Sequence, residues 1–245
     1  MLTKFKLKHL DLITEKQIDY AKFMVELYGY KNTRFNKVKA FVRCFNKTKV
    51  LIDQIKNIDT KKVLLNPDCS IKPPNNIDSI SFKAMMQIQM LCSNAGKEKV
   101  GELISELIAI VCFENNCYGE FDCDSFRYKN FKNRILNKPA FDMIGLYNCI
   151  DKQLQESTKK WNKLFLAVEV EDPDYLNAGG DRMGKFNVNN TIKAICTDYN
   201  VSYHKAWFMS YGVTQANSLG KATAAHVQHL MSKIKEQRMK NQRRS

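Results

Sequence analysis

Apolar residues recur along this chain at helical rather than alternating spacing. Ile18, Ala21, Val25 and Tyr28 follow a capping box at Thr14-Glu-Lys-Gln17 and give way at Gly29, which predicts a first helix. A second is expected over about residues 34 to 58, where Val38, Phe41, Val42, Phe45, Leu51, Ile52 and Ile55 form one stripe. Before them Phe5-Lys-Leu-Lys8 alternates with period two, as a short strand or an extended arm does. Farther along, Ser79 or Ser81 is placed to cap a helix that runs to about Asn94 and ends at Gly96. Another helix follows from Lys97 to Phe113, and a third from Asp122 or Asp124 through Leu136. Pro139 suits the first position of a long helix with Met143, Ile144, Tyr147, Ile150, Leu154, Trp161, Leu164 and Phe165 on or near one face. Three helices close the pattern, at about Thr191 to Tyr199, Ser202 to Tyr211 and Thr214 to Lys240.

The interruptions divide the chain. Asn66-Pro-Asp and Lys72-Pro-Pro-Asn-Asn76 make the clearest internal break, Asn115 to Asp122 reads as a turn region, and Asn177-Ala-Gly-Gly-Asp-Arg-Met-Gly184 reads as a loop. The expected organisation is an arm and basic helical hairpin over 1–65, a central helical domain over 77–168, an acidic and glycine-rich loop over 169–190, and a helical subdomain with a basic tail over 191–245. Ten glycines and five prolines in 245 residues favour long helices over a many-turned β architecture. The fold class that follows is mainly α: a multi-helix, bundle-like core, a small C-terminal helical subdomain, and a short N-terminal strand or arm.

Composition adds that the chain is ordered, since 44% hydrophobic and 11% aromatic residues exceed what a disordered chain carries. The eight cysteines are dispersed and mostly lie within apolar periodic stretches, so they read as small buried thiols of a reducing compartment. The opening residues lack the uninterrupted apolar core of a signal peptide, and the longest apolar run, Leu107 to Phe113, is far short of a membrane span. These features predict a cytosolic site of synthesis and no membrane partner.

Charge changes the picture most. The net charge is +14, and it is unevenly placed. Lys31, Arg34, Lys37, Lys39, Arg43, Lys47 and Lys49 form a run without an acid, and Lys233, Lys235, Arg238, Lys240, Arg243 and Arg244 near the C-terminus face only Glu236. Glu169, Glu171, Asp172 and Asp174 stand in a stretch without a base, followed by Asp181 and Arg182 in the glycine-rich loop. Separated positive and negative regions suit head-to-tail association with further copies, and both sets are candidate partner-binding residues. The basic runs also support an alternative, binding to nucleic acid. In that reading, residues 191–211 form a helix-turn-helix with Asn200 at the turn and Ile195, Tyr199, Val201, Ala206 and Met209 at its apolar positions.

Catalytic and metal chemistry find little purchase. Cys112, Cys117 and Cys123 are spaced more widely than structural zinc ligands usually are and have no histidine nearby. His226 and His229 share a helix face without an acid to complete a site, and read as a surface or interface pair. The 177–181 loop lacks the Gly-Lys-Ser/Thr ending of a phosphate loop and is preceded by acids. No serine or cysteine lies in a nucleophile elbow. The expectation is a protein that is not an enzyme and takes no cofactor or metal.

Two segments resemble structural proteins of tailed bacteriophages, in particular the crAss-like phages. They are Leu176-Asn-Ala-Gly-Gly-Asp-Arg-Met-Gly-Lys-Phe186 with Asn190-Thr-Ile-Lys-Ala-Ile195, and Val201-Ser-Tyr-His-Lys-Ala-Trp-Phe-Met-Ser-Tyr211. Together they span about the C-terminal quarter. The resemblance implies a virion component made in the host cytoplasm: a head-tail connector or tail ring, homo-oligomeric, binding the portal or neighbouring tail proteins. It also implies that the terminal arms reach adjacent subunits, the first by strand addition and the last as a basic helix.

Overall fold

A computed structural model of the chain describes residues 5–10, 58–94, 99–168 and 187–242. Among them are seven α-helices and no β-strand, so the mainly α class holds. The helices are α1 (Phe82–Asn94), α2 (Val100–Cys117), α3 (Phe126–Leu136), α4 (Ala140–Leu166), α5 (Asn187–Tyr199), α6 (Tyr203–Trp207) and α7 (Tyr211–Gln242). The helices predicted over residues 14–29 and 34–58 lie largely or wholly outside the described residues. Two compact units are present, one of residues 1–75 with 84–153, the other of 76–83 with 154–245. The expected central domain over 77–168 is therefore shared between them, and both boundaries cut helices, α1 and α4.

In the first unit, α2 is the core helix. Ile104, Leu107, Ile108, Ile110, Val111 and Phe113 are buried around nearly its whole circumference, which accounts for the apolar run seen in the sequence. Phe113 meets Phe121, Tyr128 and Phe131 with ring centroids 6.4, 5.6 and 6.0 Å away, all edge-to-face, the geometry that the ring quadrupoles favour. Ser125 caps α3 by accepting from the Tyr128 N–H at 3.2 Å. Burial of the Tyr128 ring is compatible with its hydroxyl because that group donates to Glu106 at 2.7 Å, and Glu106 in turn pairs with Lys132 at 2.6 Å. Burial, and next the negative Glu106, raise the Tyr128 pKa.

Phe5 to Leu10 form an extended residue pair and a 3-10 turn instead of a strand. Leu7 N–H donates to the Lys138 carbonyl at 3.1 Å and Ala140 N–H to the Phe5 carbonyl at 2.8 Å, while the Phe5 and Leu7 side chains are fully buried. This part of the arm is thus consumed within its own unit. His9 is buried with it, and desolvation followed by repulsion from Lys8 and Lys6 pushes its pKa down to about 4.

The segment leading into the predicted break, residues 60–66, forms a strap across α4. Asn148 donates to the carbonyls of Thr60 and Val63 at 2.8 and 2.9 Å, and Asn66 donates to Asp142 at 3.1 Å. Between those residues on the same face, Gly145 lets the backbone of Leu64 approach so closely that a Cβ would lie 2.2 Å from its carbonyl oxygen.

The second unit is organised around Asp78, in the 3-10 turn Ile77–Ser79. Its carboxylate accepts from Ser157, from Lys160 at 2.6 Å and from the Trp161 indole at 3.2 Å, all on α4. Burial opposes ionisation, but the Lys160, Ser157 and Trp161 hydrogen bonds outweigh it and hold the pKa below its ordinary value. Next in sequence, Ile80 to Phe82 run beside Met209 to Tyr211: Phe82 N–H donates to the Met209 carbonyl at 2.8 Å and Tyr211 N–H to that of Ile80 at 2.7 Å. The Phe82 ring packs on Trp207 at 5.6 Å.

Gly145→Ala should cost about 1–3 kcal/mol in urea unfolding despite alanine's better helix propensity, because the strap has to lift. Asp78→Asn should cost about 2–3 kcal/mol, as the amide leaves Lys160 without its acceptor. Ionised Asp78 stabilises the fold above the ordinary carboxylate range, and that gain is lost as pH falls through its depressed native value. The difference between wild type and Asp78→Asn should therefore be constant at neutral pH and shrink below about pH 4.

Candidate partner-binding surfaces

Helix α7 has a fixed beginning and an exposed far part, from Leu230 onward. Its start is held through Tyr211 N–H and through Gly212, where a Cβ would stand 3.0 Å from that of Asp78. Thr214 is buried and donates to the Ser210 carbonyl at 3.1 Å. Asn217 and Lys221 then reach Asp198 on α5 at 2.7 and 2.8 Å. The two hydrogen bonds, Lys221 first, hold the Asp198 pKa down.

Beyond Lys221 the helix shows solvent an apolar stripe. Val227, Leu230, Met231 and Ile234 follow i, i+3, i+4, i+7 spacing, which puts them on one face. They are 48, 45, 53 and 50% exposed, unusual for four large apolar side chains together. Lys235 and Arg238 continue the same face by helical spacing, with Lys233 and Lys240 to its sides. Every residue from Leu230 to Gln242 is exposed.

A second uncovered surface lies where α2 turns into α3. Tyr118 closes α2 in the left-handed region, at φ 48° and ψ 55°, where glycine or asparagine is usual. Its side chain is 91% exposed, and Phe126 at the start of α3 is 78% exposed. Arg127 braces the loop by donating to the Cys117 carbonyl at 3.2 Å. Glu120, Asp122 and Asp124 are exposed around these rings, and no base occurs from Glu114 to Phe126. Ligand atoms of Asp122, Cys123 and Asp124 lie within 4.8 Å of one another, but the Asp122 carboxylate is engaged by the Asp124 N–H at 3.2 Å in the turn that opens α3.

Of the predicted binding residues, Lys235, Arg238 and Lys240 fall on the exposed part of α7. The run Lys31 to Lys49, the set Glu169, Glu171, Asp172, Asp174, Asp181 and Arg182, and Arg243 and Arg244 lie outside the described residues. The helix-turn-helix region has Asn200 left-handed at φ 49° and Ile195 and Ala206 fully buried, as expected, but Tyr199 is 45% exposed and α6 is only five residues long. The aromatic, acidic loop at 118–126 escaped the sequence reading, which saw only a turn. Its signal was the alternation of acids with Tyr118, Phe121 and Phe126, of which only Phe121 is buried.

Among the described residues, two groups suited to chemistry are engaged in structure. Ser157 is buried and donates to a carboxylate that Lys160 and Trp161 also hold, and Cys112 is buried, with its pKa raised first by desolvation. A shallow depression of ≈ 580 Å³ beside the end of α3 is lined by Asn130, Asn133, Arg134, Asn137 and Lys138. No helix among the described residues is long and apolar enough to cross a membrane. No protein-family model, curated protein or solved structure matches the chain.

Tyr118→Asn should raise the unfolding free energy by about 0.5–1 kcal/mol, since asparagine tolerates the left-handed backbone better than tyrosine does. Thermal and urea melts of the two proteins check it.

Proposed function

We propose that this chain is a non-enzymatic assembly protein acting through protein–protein contact, as a head-tail connector or tail-ring component of a tailed phage particle. The observation that carries the reading is the far part of α7, where four large apolar side chains are held in water beside Lys235, Arg238 and Lys240 on a helix anchored at its other end. A helix of this chemistry docks by laying its apolar face into a partner, with the cations at the rim. The phage setting comes from the resemblance of residues 176–195 and 201–211, and homo-oligomerisation from the separation of charge along the chain.

Nucleic-acid binding is the second reading, and the exposed cations of α7 favour it. Phosphate contact leaves the apolar stripe without a role, which places this reading behind the first.

At physiological salt the full chain should sediment as an oligomer of fixed copy number and form a complex with its portal. A protein that stays monomeric and forms no complex in the portal's presence overturns the proposal. Duplex DNA affinity that barely changes from about 50 to about 200 mM salt removes the second reading.

A further inference from the structure

We propose that the exposed face of α7 seats on the Tyr118–Phe126 loop of a second copy of this chain. The inference rests on the assembly reading and deepens it by naming both halves of the contact. The α7 face offers Val227, Leu230, Met231 and Ile234 with Lys235 and Arg238, an apolar ridge continued by cations. The loop offers the reverse: two exposed aromatic rings with Glu120, Asp122 and Asp124 around them. Each chemical component on one surface has its counterpart on the other. Aromatic faces and edges accept the Met231 sulfur and the aliphatic residues, cations favour both the ring faces and the carboxylates, and the acids pair with the outlying lysines.

Charge also selects against the simpler pairings. Two α7 helices brought together in parallel would collect Lys233, Lys235, Arg238 and Lys240 from each copy against a single Glu236 from each. Two loops brought together would oppose acid to acid. The unlike pair is the one with complementary charge. Formed head to tail, it leaves every dimer with one unused surface of each kind and propagates to a ring or a filament; formed reciprocally, it closes as a two-fold dimer. The overall charge of +14 opposes association at long range, but at physiological salt charges are screened beyond about 8 Å, so the local complementarity decides.

The left-handed Tyr118 fits this use. A large ring in a strained backbone position, almost wholly exposed, contributes nothing to the core of its own chain and presents an aromatic surface at a rigid corner.

The test is sedimentation velocity of four full-length variants, with thermal melts to confirm folding. Lys235→Glu/Arg238→Glu/Lys240→Glu and, separately, Glu120→Lys/Asp124→Lys should each raise the dissociation constant for self-association at least about tenfold. An equimolar mixture of these two should recover association, because the reversed helix of one meets the reversed loop of the other while the native pair is also available. Tyr118→Asn should weaken association although its fold is as stable as wild type or more so, so its loss cannot be ascribed to unfolding. Reversed variants that associate like wild type overturn the pairing, as does a mixture that stays dispersed, which would assign α7 to another acidic partner. Dispersal by reversing Glu169, Glu171, Asp172 and Asp174 while the loop variant still assembles overturns it in favour of that acidic stretch and leaves the assembly reading standing. A wild type that is monomeric at every concentration removes both.

Discussion

The second unit depends on the ionised carboxylate of Asp78 being satisfied away from water. A buried charge is tolerated when donors surround it, and here three donors come from successive positions on one helix, Ser157, Lys160 and Trp161. Because they belong to α4 and the acceptor to a turn 79 residues earlier in the sequence, the interaction fixes a long-range register that apolar packing alone would leave loose. The neighbouring contacts inherit that register. Ile80 and Phe82 exchange backbone hydrogen bonds with Tyr211 and Met209, and Gly212 allows α7 to start directly against Asp78. The direction in which α7 leaves the unit is set by this arrangement.

The first unit solves the same problem with shape. Edge-to-face rings around Phe113 fill the space between α2 and α3, and the strap 60–66 is held on α4 by the Asn148 amide and the Asp142 carboxylate, either side of Gly145. In both units polar side chains that could have served chemistry are spent on position: Tyr128 with Glu106 and Lys132, Asn148 with the strap, Ser157 with Asp78. Among the described residues, large apolar and aromatic side chains bordered by charge also stand exposed, at Tyr118, Phe126 and Val227 to Ile234, and the proposed assembly role rests on these.

Among the described residues, the helices were legible where an apolar stripe met a clear boundary. Pro139 announced α4, the acids near 122 announced α3 to within a few residues, and the sparse glycine predicted helix over sheet. Tertiary contacts were legible only in part. Asp78 reads in sequence as an unremarked acid in a polar turn, since its three donors lie about eighty residues away. Gly145 in the middle of a helix could be recognised as unusual, but not as the place where another backbone crosses. The binding surfaces divided in the same way. The cations of α7 were found from charge, whereas the exposure of Val227 to Ile234 could not be, because helical spacing predicts a shared face and is silent on whether anything covers it. The same limit applied at Leu164, placed on the apolar face of α4 yet 40% exposed.

One consequence of α7 concerns mechanics. At a rise of 1.5 Å per residue its 32 residues extend about 48 Å, and the stripe lies about 9 to 20 Å past the Lys221 contact, with the tip about 30 Å past it. Over that span a tilt of about 10° at the root displaces the tip by about 5 Å with little change in local packing. A helix so rooted has the mechanics of a lever: if subunits join through it as proposed, they can follow changes in one another's spacing by flexing near the Asp198 and Lys221 contact.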